Sequence, residues 1–428
     1  MNLKSKIMHF SKGAVIAKIF SFFSFFFIAK ILSLEIFSVY VIYLFISEIF
    51  LVLLTHGLNS YILRSSSLNV RNEVFSKSIF VIVITILVFW IFVAALPSQL
   101  AELLPKTYAQ LLEYKHLIVF ILLNRSLINM CYGYFVSNHK ARSHARLNIG
   151  NAVLFSIILL INYFVLDLNG LEFIFASLCE ASLFSIVYSY ILIKEEDFIK
   201  PLAVKEMIML LKESYPFMFK NIIGIVGLYL SRLILDGMAT REELAIYSFY
   251  LMIVFQLSLF SNVLSQALMP TIRDNFDRVY ILEERLKKYI KIYFVFAFLI
   301  LLFSIFISLL VSNNKLNFLQ LFIKEEYLSE IWLFNIMLLA FLMNTMRVVV
   351  FDAWQYYEKM KIKLKLIIIS ISNVVLGLAL YPVSYNIGDI YGVASAYVLI
   401  VLIFTYISYH YFNVAKRRVK IEANIHNS

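Results

Sequence analysis

Six basic side chains lie inside apolar segments of this 428-residue chain, where charges are costly and rare. Arg125 is the clearest case, in the middle of FILLNRSLINMCYG at 120–133. The other five are Lys18, Lys30, Lys220, Arg232 and Arg347. An arginine fork binds phosphate oxygens in pairs. Basic side chains lining a cavity from one membrane face to the other therefore predict a site for an anion, such as a phosphate or diphosphate head group.

Structural interpretations of the same basic residues stay open. Arg125 is also consistent with a buried ion pair that locks two helices, with Glu48 or Glu180 as its carboxylate partner. Arg347 lies about one helical turn from the cytoplasmic end of its segment, where it can snorkel to the surface. Lys30 and Arg232 lie near the opposite ends of theirs, against the general distribution of positive charge.

Three acidic side chains within or beside apolar segments are candidates for ion coupling: Glu48, Glu180 and Asp236. Carboxylates inside membrane proteins often relay protons or bind cations. The alternative is that they balance the charge of the arginines.

Catalytic and metal-binding patterns are missing from the sequence. Cys131 and Cys179 are far apart in apolar runs, and no His and Cys cluster has metal-ligand spacing. We expect no disulfide, no metal site and no cofactor, and we assign no catalytic residue.

The composition indicates an integral membrane protein, because 62% of the residues are hydrophobic and 15% are charged, against roughly 25% charged in soluble proteins. Apolar runs long enough to cross a bilayer as helices occur twelve times. They lie near 13–33, 36–57, 78–97, 116–137, 148–167, 172–193, 215–236, 245–269, 289–311, 331–351, 366–387 and 390–412. Asn386, Gly388 and Asp389 separate the last two.

The distribution of lysine and arginine predicts the orientation. With twelve spans, both termini lie on one side, which carries 27 of the 38 basic residues, and the opposite loops carry 5. Positive residues collect on the cytoplasmic side, so we expect cytoplasmic termini. The net charge of +11 then reflects the orientation of the chain in the membrane. Because the basic residues are spread over many segments and form no single patch, a nucleic-acid interface is excluded.

The two halves of the chain resemble each other. Tyr40 matches Tyr247 at an offset of 207, and an offset of 202 superposes Lys18 on Lys220 and Lys30 on Arg232. Two parallel six-helix repeats with a cavity between them are typical of alternating-access transporters. We predict an all-α membrane fold of about twelve helices in two pseudo-repeats around a central cavity. The predicted parts are an N-terminal bundle (1–193), a cytoplasmic linker with an amphipathic helix (194–214) and a C-terminal bundle (215–428).

The segment LEIFSVYVIYLFISEIFLVLLTHGLNSYILR at 34–64 resembles a known family. It is similar to the O-antigen flippases, the polysaccharide-transporter branch of the multidrug/oligosaccharidyl-lipid/polysaccharide exporters. In that family a short turn, LG-x-E-x-(Y/F)-G-x-Y, joins the first two helices. Leu34, Glu35, Phe37 and Tyr40 match this turn, although Ser38 replaces its second Gly. The family's second helix ends in GL-x-x-x-(I/L)-x-R, which Gly57, Leu58 and Arg64 match. Later stretches at 231–250, 321–334 and 387–400 are also similar, although Ser231 replaces the usual Asp.

The resemblance implies a flippase of the bacterial inner membrane. Its substrate would be an undecaprenyl-diphosphate-linked oligosaccharide, moved to the periplasmic leaflet by alternating access, with H⁺ or Na⁺ as coupling ion. A polymerase and a chain-length regulator of the same pathway are expected partners. Two alternatives are an O-antigen polymerase, which is an enzyme and typically has a large periplasmic loop, and a multidrug antiporter, whose cationic substrates an arginine-lined cavity would repel.

Overall fold

The structure is a computed structural model that describes residues 3–64, 68–97, 106–138, 140–193, 202–256, 279–313, 317–349 and 362–426. Within these ranges the chain forms helices and no strand. This confirms the predicted all-α fold. The first helices are α1 (Leu3–Ile31), α2 (Leu34–Leu54), α3 (Leu58–Arg64), α4 (Leu68–Ala94), α5 (Lys106–Glu113), α6 (Lys115–Ser137), α7 (Ala141–Phe164) and α8 (Gly170–Ile193).

The remaining helices continue to the end of the described chain. They are α9 (Val204–Met238), α10 (Arg241–Gln256), α11 (Val279–Ser312), a 3₁₀ turn (Asn317–Leu321), α12 (Glu325–Ser329), α13 (Ile331–Val349) and α14 (Ile362–His426). The linker helix predicted within 194–214 is part of α9, and 194–201 lie outside the described residues.

Eight described helices are long and apolar enough to cross a membrane, and two shorter apolar helices accompany them. The predicted spans 366–387 and 390–412 both fall in α14. Non-helical dihedral angles at Gly388 and Asp389 interrupt that helix, at the residues that separate the two spans in the sequence. The predicted span 245–269 extends past Gln256 into residues outside those described.

The chain divides into two compact units, Met1–Ile225 and Val226–Ser428. The division falls within α9. The bundle boundaries drawn from the sequence, at 193 and 215, stay a prediction.

Small and hydroxyl-bearing residues join the helices of the N-terminal unit. A Cβ on Gly13 of α1 would lie 2.4 Å from the Cβ of Ala145 on α7, so this glycine lets the two helices approach closely. Farther along the same pair of helices, the hydroxyls of Ser24 and Ser156 are 2.8 Å apart and buried. Apolar helices in lipid gain little from the hydrophobic effect, so close packing and such hydrogen bonds hold them together.

The C-terminal unit packs around aromatic and amide side chains. The Phe249 and Tyr327 rings stack at a centroid distance of 4.0 Å. Asn335 of α13 is buried and hydrogen-bonds both Ser304 and Ser308 of α11, at 2.6 and 2.8 Å. An apolar helix surface is thereby given a defined register.

The ends of matching helices support one of the two repeat offsets. α1 ends at Ile31 and α2 begins at Leu34, whereas α9 ends at Met238 and α10 begins at Arg241. The two helix ends differ by 207 in residue number, and so do the two helix starts. This equals the offset that matches Tyr40 with Tyr247. A polar cap begins each second helix: Ser33 accepts from the Ile36 N–H at 3.3 Å, and Thr240 and Glu243 form a reciprocal capping box.

The close approach at Gly13 generates a stability prediction. Gly13→Val places a branched side chain against Ala145 and forces α1 and α7 apart, at a cost of about 1–3 kcal/mol. The melting temperature of the purified protein in detergent should fall. Gly224→Val is the matched control, because a Cβ there meets no atom within 4 Å. Equal melting temperatures for the two variants would contradict the predicted contact.

Candidate functional site

The N-terminal unit contains a cavity of about 370 Å³. Five helices contribute to its wall: α1, α2, α6, α7 and α8. Its polar and charged lining side chains include Glu48, Arg125, Asn129, Tyr132, Asn148 and Asn151. Apolar side chains, including Leu51, Ile121 and Phe155, form much of the remaining wall.

Arg125 and Glu48 form an ion pair at this cavity. The Arg125 Nη2 lies 2.5 Å from the Glu48 Oε1, and its Nη1 donates to the Ser47 hydroxyl at 2.9 Å. The side chains keep 29% and 32% of their surface exposed, so both remain accessible to a ligand. Of the two carboxylates considered from the sequence, Glu48 is the partner of Arg125.

Helical spacing explains why the polar side chains meet. Arg125, Asn129 and Tyr132 are at positions i, i+4 and i+7 of α6, and Asn148 and Asn151 are three residues apart on α7. Residues at these spacings share one helix face.

The amide oxygens of two lining asparagines are engaged by neighbours behind the wall. The Asn129 oxygen accepts from the Asn59 amide at 3.0 Å, and the Asn151 oxygen accepts from the Ser185 hydroxyl at 2.7 Å. The amide nitrogens then face the cavity as donors, and that of Asn151 lies beside the hydroxyl of Tyr132. The cavity thus combines hydrogen-bond donors, one carboxylate and apolar surface.

The three predicted lysines lie outside the lining of this cavity. Lys18 and Lys220 are half-buried, and Lys30 is exposed in the last turn of α1, where a cation interacts favourably with the helix dipole. Lys30 is one residue from the end of α1, whereas Arg232 is six residues from the end of α9. The helix ends favour the offset of 207 over 202, which would leave these two residues five positions apart, and their equivalence stays a prediction.

The other two predicted carboxylates have different environments. Glu180 is exposed on α8 and accepts from the Asn162 amide at 3.2 Å. Asp236 accepts a hydrogen bond from Arg241 and pairs with it in charge, which links the end of α9 to the start of α10. Asp236 is thus charge-balanced by a neighbour.

Arg232 is fully buried in the C-terminal unit. Its guanidinium carbon lies 4.9 Å from the centroid of the Tyr229 ring and 5.6 Å from that of Phe255. None of its three side-chain nitrogens has a hydrogen-bond partner within the described part of the chain. Cation–π contacts compensate only part of the cost of burying a charge. Arg347 is half-buried in the last turn of α13.

Sequence reasoning missed the uncharged polar residues of the cavity, namely Asn129, Tyr132, Asn148 and Asn151. Their helical spacing within apolar spans was an available signal. Uncharged side chains in such spans are common, however, and the contrast of a full charge drew attention to Arg125 instead.

The model of the polysaccharide biosynthesis protein family matches residues 3–276, more than half of the chain. The chain belongs to this family. The recognition made from residues 34–64 is thereby confirmed. A search of curated protein sequences finds no match.

Several solved structures share the fold. The MATE transporter VcmN of Vibrio cholerae in its bent form is 14% identical, with a TM-score of 0.65 and 98% of each chain covered. A MOP superfamily transporter from Pyrococcus furiosus, described as having a binding pocket of reverse polarity, is 11% identical, with a TM-score of 0.67 and coverage of 98% of this chain and 96% of that one. The MATE transporter ClbM in complex with Rb⁺ is 14% identical, with a TM-score of 0.62 and coverage of 99% and 98%.

These likenesses establish a transporter fold. Together with the apolar helices, they indicate a multi-pass membrane protein with the fold of these transporters.

The Glu48–Arg125 pair generates a prediction about stability. Glu48→Gln or Arg125→Gln alone leaves a half-buried charge unpaired, at a cost of about 1–2 kcal/mol rather than the ~3–5 kcal/mol of a fully buried pair. The double variant should lose less than the sum of the two single variants. Melting temperatures of the four proteins measure this coupling.

The control for the double-variant experiment is the surface pair Glu73 and Lys77, 2.7 Å apart on α4. Its coupling should be only ~0.3–0.5 kcal/mol. Additive losses at Glu48 and Arg125 would contradict the pairing.

Proposed function

We propose that the protein is a flippase for an undecaprenyl-diphosphate-linked oligosaccharide, an O-antigen or a similar repeat unit. It moves this lipid from the cytoplasmic to the periplasmic leaflet of the bacterial inner membrane by alternating access. The observation that carries the proposal is a polysaccharide biosynthesis family match on a chain with a transporter fold. Sugars of surface polysaccharides are assembled on a lipid, and a membrane transporter of that family acts where the lipid must cross.

The charge of Arg232 supports an anionic substrate. A buried guanidinium that has tyrosines but no carboxylate beside it among the described residues is costly in an apolar helix. A diphosphate group supplies paired oxygens that satisfy such a fork. The rings of Tyr229 and Phe255 cover the guanidinium in this conformation, so contact with substrate requires its exposure in another state of the transport cycle.

The proposal also gives the remaining basic candidates a role in binding this substrate. They are Arg125, Arg347, Lys30, Lys18 and Lys220. Coupling to H⁺ or Na⁺ would use a carboxylate, and Glu48 is the candidate at the cavity. The 27-to-5 distribution of basic residues supports cytoplasmic termini. A polymerase and a chain-length regulator are the expected partners in the pathway.

Deletion of the gene in the source bacterium tests the proposal. We expect no repeat unit on the lipid-A core and an accumulation of lipid-linked single units on the cytoplasmic side, because the unit does not cross the membrane. Mass spectrometry of the lipopolysaccharide and of the extracted lipids measures both. A single repeat unit on every core would instead show intact crossing with failed polymerisation, and the proposal would be replaced by the polymerase.

Arg232→Met separates a substrate role from a structural one. Methionine fills a similar apolar volume, and replacing a buried charge in this way is often neutral or stabilising. We expect an unchanged or higher melting temperature and loss of surface polysaccharide in the complemented deletion strain. Arg146→Met, at an exposed position on α7, is the control and should complement fully. Full complementation by Arg232→Met would remove this residue from the transport mechanism.

A further inference from the structure

We infer that the cavity of the N-terminal unit is a subsite for the sugar part of the substrate, and that the diphosphate does not bind there. The inference rests on the proposed function, because it assigns one portion of a lipid-linked oligosaccharide to one cavity. It also departs from the expectation drawn from the sequence, in which Arg125 binds the anionic group.

The charge of the cavity argues against a diphosphate. Glu48 and Arg125 are the oppositely charged residues of its lining, and they contact each other directly. The two arginine nitrogens Nη1 and Nη2 already donate to Ser47 and Glu48. A diphosphate would have to displace the carboxylate and then lie beside it, and like charges at such distances repel strongly. The cavity suits a polar ligand without net charge.

The hydrogen-bonding groups match a sugar. Hydroxyl groups both donate and accept, so they need a site with donors and acceptors at close spacing. Asn129 offers its amide nitrogen because its oxygen is engaged by Asn59. The Asn151 oxygen is engaged by Ser185, and its amide nitrogen faces the hydroxyl of Tyr132, so a sugar hydroxyl would share that donor with Tyr132. Glu48 offers carboxylate oxygens, and Asn148 offers a whole amide. The arrangement is held in place from behind the wall, which limits the entropy lost on binding.

The apolar wall and the size of the cavity fit the same ligand. A sugar ring has a C–H face that packs against apolar surface, and Phe155 and Tyr132 line the cavity together with aliphatic side chains. Ligand sites generally combine such walls with a few placed polar groups and have volumes of roughly 300–1,000 Å³. At about 370 Å³ the cavity accommodates a small portion of an oligosaccharide.

Asparagines with a packing role have a different environment in this protein. Asn335 is buried, and both its oxygen and its nitrogen are bonded to serines of the neighbouring helix. Asn148 and Asn151 are half-buried and line an open volume. Asn129 and Asn151 each make an interhelical bond through the oxygen, and no hydrogen bond is recorded for the Asn148 side chain within the described residues, so Asn148 is the asparagine whose position at the cavity packing explains least.

The test compares two lipids on purified full-length protein in lipid nanodiscs. One is the lipid-linked repeat unit extracted from the deletion strain, and the other is undecaprenyl diphosphate without sugar. The ratio of their dissociation constants, measured by microscale thermophoresis, isolates the contribution of the sugar. We expect the wild-type protein to prefer the sugar-bearing lipid.

Variants of the lining should change that ratio in two ways. Asn148→Leu and Asn151→Leu each remove hydrogen bonds to neutral groups and should reduce the preference about two- to tenfold, while binding of the bare lipid stays the same. Glu48→Gln leaves Arg125 without its counter-charge and should tighten binding of bare undecaprenyl diphosphate about tenfold. Asn373→Leu, at a half-buried position of α14, is the matched control and should keep the wild-type ratio.

The outcomes separate this inference from the proposed function. If the wild-type protein prefers the sugar-bearing lipid and neither asparagine variant reduces this preference, the sugar subsite is overturned. The flippase would still be supported if the lipid crosses the membrane in cells. Unchanged binding of the bare lipid in Glu48→Gln would overturn the argument from charge neutrality and with it the exclusion of the diphosphate. If the wild-type protein binds neither lipid and the deletion strain keeps its full surface polysaccharide, both the subsite and the proposed function fail.

Discussion

Backbone hydrogen bonding in hydrocarbon is the constraint on which the rest of the structure depends. Water does not reach the bilayer core, so each N–H and C=O must be paired within the protein, and helices achieve this within a single segment. The described chain is accordingly helical, and its specific features lie in what the side chains add. Hydroxyl and amide groups such as Ser24, Ser156 and Asn335 connect neighbouring helices, because apolar surface alone gives helices in lipid little reason to choose one register over another.

Two of the charges within the spans follow the same logic of pairing, and Arg232 does not. Arg125 and Asp236 each have an oppositely charged partner. Arg232 has aromatic rings and no carboxylate partner within the part of the chain that is described. The N-terminal unit thus offers a polar cavity whose charges cancel, and the C-terminal unit carries a cation that is not neutralised. A lipid-linked oligosaccharide has matching parts, a polyhydroxyl chain and an anionic diphosphate.

Much of the fold follows directly from the sequence, and much of the site does not. Apolar length predicts the helices, and Gly388 and Asp389 mark a real interruption of α14 because their short or polar side chains suit a break. The partner of Arg125 was not predictable, since Glu48 and Glu180 both lie within spans and only packing brings one of them to α6. The match of Lys30 with Arg232 is not supported by the helix ends, because short apolar segments align almost equally well at shifts of one turn. The cavity asparagines escaped notice because an uncharged amide stands out little from an apolar background.

The ion pair at the cavity also has an electrical consequence. Moving one elementary charge through the full membrane potential changes the free energy by about 2.3 kcal/mol per 100 mV. Glu48 and Arg125 move together as a pair with no net charge, so a rearrangement of the helices that carry them transfers no charge across the field. The voltage then does work on the substrate and on unbalanced cations such as Arg232. A translation of the Glu48–Arg125 pair is therefore expected to contribute little to any voltage dependence of the transport cycle.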